Sequence, residues 1–68
     1  MTLPAFRVVF AESPTKKLQM TVGEFLVMPI DVRVRAILER RVEFFQHGLE
    51  VPRQEALNAI RRATALAS

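Results

Sequence analysis

Pro29-Ile30-Asp31-Val32-Arg33-Val34-Arg35-Ala36-Ile37-Leu38-Glu39-Arg40-Arg41-Val42-Glu43-Phe44-Phe45-Gln46-His47-Gly48 is the stretch on which the fold turns. At ~100° per residue, Ile30, Val34, Ile37, Leu38, Val42, Phe44 and Phe45 fall in one stripe roughly 160° wide, with Glu39, Glu43 and Gln46 opposite. Pro29 suits a first helical turn, where its missing N–H costs nothing. Asp31 lies near the positive end of such a helix, and Gly48 is a natural stop. The pattern predicts one helix from about Ile30 to His47.

Toward the N-terminus, Thr21-Val22-Gly23-Glu24 has capping-box spacing, with Thr21 as N-cap and Glu24 at N3. Phe25-Leu26-Val27-Met28 follows and Pro29 breaks it, which predicts a helix of about two turns. A strand over Glu24–Met28 is the competing reading. Further back, Lys17-Leu18-Gln19-Met20-Thr21-Val22 alternates polar and apolar residues, a half-buried strand. Phe6-Arg7-Val8-Val9-Phe10 is β-branched and aromatic, and Ala11–Lys16 is a polar break carrying Pro14, so these segments read as a hairpin. A hairpin alone is marginal in water and has to pack on helices or pair with another chain.

Toward the C-terminus, Leu49-Glu50-Val51 reads as a link to a last helix starting at Pro52, with Glu55 in its first turn. Its apolar face is Ala56, Ala59, Ile60, Ala63, Leu66 and Ala67. The expected fold is therefore mostly α with α+β character, in a single domain spanning residues 1–68. A short N-terminal hairpin or strand covers 6–22. A short helix and two longer helices, packed as a helical hairpin, cover 22–67.

The chain has 68 residues, half of them hydrophobic, and no cysteine. A domain this small buries only about 60% of its unfolded surface. Such domains usually gain stability from disulfides, a metal or a partner, and the first is excluded here. Ten basic residues against seven acidic give a net charge of +3. Eight of the ten are arginine, a residue that suits interfaces and phosphate alike. No apolar run is long enough to span a bilayer. The N-terminal residues lack a basic region followed by an apolar one, so the cytoplasm is the expected compartment.

Catalysis needs a nucleophile with a base, paired carboxylates or an open metal site. His47 is the single histidine, expected at a helix end where imidazole meets the negative dipole. It has no companions for a metal site. The two glycines, Gly23 and Gly48, make no phosphate loop, and Ser13 and Ser68 have no base nearby. An enzyme is not expected, and neither is a cofactor, a metal or a small-molecule substrate.

Arg41 falls near the middle of the apolar stripe, where an unpaired charge is costly to bury. Three readings fit it. Its stem covers apolar surface while the guanidinium reaches water, it pairs with Glu43 or Glu50, or it anchors a protein contact. Phe44 and Phe45, about 100° apart on a helix, cannot both face one core. The alanine face of the last helix lets another helix approach closely. Arg33, Arg35 and Arg40 flank the long helix, and Arg61-Arg62 sit near the end of the last one, as solvated charges.

The expectation is a non-enzymatic binding protein that self-associates or serves as an accessory or adaptor subunit on a larger protein. Its interface would comprise Arg41, Phe44, Phe45, Ala59 and Ala63. The alternative is a nucleic-acid partner. Lys17, Gln19 and Thr21 line one strand face with groups that can read a major groove, and Lys16 can meet phosphate. With the helix, glycine turn and second helix beginning Pro52-Arg53-Gln54-Glu55-Ala56-Leu57, residues 17–66 resemble ribbon-helix-helix DNA-binding proteins. The resemblance implies a dimeric regulator that reads DNA with its strand. The segment Gly23–Asp31, an extra helical piece between strand and main helix, departs from that pattern.

Overall fold

The structure, a computed structural model, describes residues 3–66. Ala67, expected on the apolar face of the last helix, lies outside the described residues, as do Ser68, Met1, Thr2 and the Leu66 side chain. The elements run β1 (Arg7–Ser13), β2 (Lys16–Thr21), α1 (Val22–Val27), α2 (Ile30–Leu38), β3 (Val42–Gln46), β4 (Leu49–Val51) and α3 (Arg53–Leu66). The four strands form one antiparallel sheet in the order β2-β1-β3-β4.

The N-terminal hairpin forms, but β1 runs on through Ala11–Ser13 of the expected break, Lys16 already starts β2, and Val22, the last residue of the alternation, begins α1. Val8 pairs with Met20 and Phe10 with Leu18, so the apolar side chains share one face. Ser13 Oγ accepts from the Lys16 N–H at 3.1 Å and closes the turn. The capping box at Thr21 is also formed. Thr21 Oγ1 accepts from the Glu24 N–H at 3.1 Å, and the Thr21 N–H donates to Glu24 Oε1 at 2.9 Å. Glu24–Val27 is thus helix rather than strand, with Met28 as its extended C-cap.

The expected helix over 30–47 is not formed, and this corrects the mostly α, helical-hairpin architecture. α2 stops at Leu38. Arg40 adopts φ 58°, its N–H donates to Ile37 O at 3.1 Å, and the Arg41 N–H donates to Ala36 O at 2.8 Å. That pair of bonds is a Schellman stop with arginine in the left-handed position where glycine is usual. Beyond it the chain is β3. On a helix, Val42 and Phe44 would lie 200° apart, at opposite margins of the predicted stripe. On a strand they share a face, and both are fully buried. Pairing Val8 with Phe44 and Phe10 with Val42 also supplies the additional strands that the hairpin needs.

His47 and Gly48, expected as helix end and helix stop, are instead the two central residues of the β3–β4 hairpin turn. Gln46 pairs with Leu49 across them, and their φ values of 54° and 80° suit a type I′ turn. The helix, glycine turn, helix order behind the ribbon-helix-helix resemblance is therefore absent. Leu49–Val51, expected as a link, is the short edge strand β4. After β4 the last helix forms where expected, as α3.

All three helices pack on one face of the sheet. The core is Val8, Phe10, Val42 and Phe44 from the strands, Val22 and Phe25 from α1, Ala36 from α2, and Ala56 and Ile60 from α3. Phe44 sits at its centre, edge-on to Phe6 (centroids 6.3 Å apart) and Phe25 (6.1 Å). The other sheet face has no helix on it.

Candidate functional site

α2 contributes a single side chain, Ala36, to the core. Counting ~100° per residue, Ile30, Val34 and Leu38 point roughly 120–200° away from Ala36, so a helix that buries Ala36 turns these three outward. They are 69%, 47% and 76% exposed, in line at i, i+4 and i+8, and Val27 at the end of α1 is 84% exposed. Ile30, Val34 and Leu38 of the stripe expected to face the core thus face solvent, because its C-terminal part left the helix to become β3, while Ile37 still packs against the core.

Beside this stripe runs a groove of about 550 Å³ between α2 and α3, with Leu26, Val34, Ile37 and Leu57 among its apolar lining. A smaller hollow of about 270 Å³ shares Ile37, Leu38 and Leu57 with it and continues toward Arg40 and Arg53. The charged residues lining the two are Arg33 and Arg61, and Arg40 and Arg53. No carboxylate lines either. Arg33 Nε donates to Met28 O at 3.0 Å and Arg53 Nε to Val42 O at 3.3 Å, which fixes both side chains along the helix ends. The ion pairs among the described residues are Lys16–Glu12 at 3.5 Å and Arg41–Glu39 at 2.9 Å, so none of the four groove arginines is in one.

The residues expected at an interface are dispersed. Arg41 is half-buried at the α2–β3 junction, where Nε donates to Glu39 Oε1 at 2.9 Å and Nη1 to Ala11 O at 3.2 Å. Its guanidinium lies over the Phe10 ring, 5.6 Å from the centroid. It ties the start of β3 to the end of β1, and its acidic partner is Glu39 rather than Glu43 or Glu50. Phe44 is wholly inside the core and offers no surface. Phe45 is half-buried on the open sheet face, opposite Arg7. Ala59 and Ala63 are half-buried on α3.

Lys17, Gln19 and Thr21 do lie on one face, paired with Ala11, Val9 and Arg7. The same face carries Glu43 and Glu50 on the neighbouring strands, the Thr21 hydroxyl is committed to the α1 cap, and Lys16 is paired with Glu12. A hollow of about 520 Å³ on this side is lined by Arg7, Val9, Gln19, Phe45 and His47 among others. Among the described residues no three His, Cys, Asp or Glu side chains are placed to hold a metal ion, and no helix is long and apolar enough to cross a membrane.

Sequence reasoning missed Ile30, Val34 and Leu38 as surface, and with them the groove arginines. The signal that could have revealed them is the short alternation Val42-Glu43-Phe44, followed by a two-residue turn ending in Gly48 and by Leu49-Glu50-Val51. That is a hairpin pattern, and it removes half of the supposed helix. Compared with protein-family models, with curated proteins and with solved structures, the chain matches none.

Proposed function

We propose that the chain is a non-enzymatic binding module that docks on a protein as an accessory subunit, through the face formed by α2 and α3. The observation that carries this reading is the exposure of Ile30, Val34 and Leu38 in a continuous line along an apolar groove. Apolar residues scattered singly over a surface need no explanation, whereas a contiguous patch marks an interaction site. Three exposed branched side chains beside a groove are of the second kind. The core behind them is small, nine side chains of which two are alanine, so burial of this face would add to it appreciably.

Site-specific photo-crosslinking in the native cells tests the reading. A photoreactive residue at position 34 or 38 is expected to yield discrete adducts, while the same residue at 43 or 50, on the open sheet face, yields none. Adducts that are absent, or equally abundant from both faces, would overturn the assignment.

A further inference from the structure

We infer that the α2–α3 groove receives an acidic amphipathic helix of another protein, its apolar side on Ile30, Val34 and Leu38 and its carboxylates on Arg33 and Arg61. The inference rests on the docking role proposed above and specifies the chemistry of the partner. Charge decides it. The groove and the hollow that continues it are bordered by four arginines and no carboxylate, and none of those arginines is ion-paired among the described residues. With Nε of Arg33 held by Met28 O, the remaining donors of its planar guanidinium stay available for a carboxylate, which arginine binds in a bidentate fork.

Length and shape agree. Ile30 to Leu38 spans about 12 Å along α2, the reach of two to three turns of a partner helix with apolar anchors at i, i+4 and i+7. A second copy of this chain fits poorly. In a two-fold contact through the same face, Arg33 and Arg61 of each copy would meet the same arginines of the other, and like charges across an interface are repulsive. An anionic membrane fits poorly as well. Faces that bind a membrane surface carry Trp, Phe or Leu on the apolar side, and this groove offers leucine but no aromatic residue to anchor in the headgroup region.

The test is selection of a displayed helical-peptide library, apolar at i, i+4 and i+7 and randomised between, against the full chain. Selected peptides are expected to carry excess Asp and Glu at the flanking positions. They should lose binding to Val34→Asp and to Leu38→Asp, two substitutions at exposed positions whose folding is checked by circular dichroism. Arg61→Glu should weaken them about five-fold and shift a fresh selection toward Lys and Arg. Selection without acidic bias, or none that Leu38→Asp abolishes, overturns the inference. So does a dimer seen by light scattering, or binding to vesicles with 30% phosphatidylserine, that Leu38→Asp removes. Crosslinks from position 34 combined with no acidic bias would leave the docking role standing and remove only its acidic partner. Absence of both would remove the role itself.

Discussion

Arg40 is the residue that most changes the path of the chain. A side chain at φ 58° is crowded by its own Cβ, at a cost of roughly 1–2 kcal/mol that glycine does not bear. Glycine gives back part of that gain as unfolded-chain entropy, about 0.4–1 kcal/mol. Arg40→Gly should therefore stabilise the protein by about 0.5–1 kcal/mol, raising the midpoint of thermal unfolding by about 3–6 °C. An unchanged or lower midpoint would mean that the Schellman stop is not the native end of α2. The two glycines make a paired prediction. A Cβ at Gly48 meets nothing within 4 Å, but φ +80° strains any other residue, so Gly48→Ala should cost about 1 kcal/mol. At Gly23, in the first turn of α1, a Cβ would make ordinary contacts of 3.7–3.8 Å with Leu3 and Thr21. Gly23→Ala should stabilise by about 0.5–1 kcal/mol, and chemical denaturation of the two variants should move in opposite directions.

At the scale of elements, legibility followed how local the cause was. The β1–β2 hairpin and the α1 cap depend on neighbours in sequence, and both were readable: alternation over 17–22, and Thr21 with Glu24. Thr21→Ala should cost about 1 kcal/mol. Because each side chain of the box satisfies the other's backbone, the Thr21→Ala, Glu24→Ala double variant should lose less than the sum of the single losses, as denaturation of the cycle would show. The stretch from Ile30 to Gln46 was not readable in this way. Its apolar residues satisfy a helical period across the break, and the deciding events are remote. Val8 and Phe10 demand a strand beside them, and Arg41 reaches Ala11 O thirty residues back. No glycine or proline marks the end of α2, since arginine occupies that place. The candidate site was missed for the same reason. Ile30, Val34 and Leu38 become surface only once Val42 and Phe44 have left their helix.

Across the whole molecule, a sheet with helices on one side divides apolar residues that the helical period had put on a single stripe. Phe44 and Leu38 are the clearest pair. Phe44 has no exposed surface and holds Phe6 and Phe25 edge-on, while Leu38 is 76% exposed. Truncating a buried phenylalanine costs about 3–5 kcal/mol, transfer and cavity together. A domain of this length holds roughly 3–10 kcal/mol in all. Phe44→Ala should therefore be largely unfolded or close to it, with Phe44→Leu, a gentler truncation, retaining a cooperative transition at lower denaturant. Leu38→Ala removes little burial and keeps a good helix former, so its midpoint should lie within about 0.5 kcal/mol of the parent. Its loss should appear in binding to the α2–α3 face instead. Were a single helix over 30–47 the true structure, both side chains would lie in the same buried stripe, and both truncations would cost several kcal/mol. Urea unfolding of the two alanine variants side by side separates the two architectures, and a loss above about 2 kcal/mol for Leu38→Ala would reject the sheet.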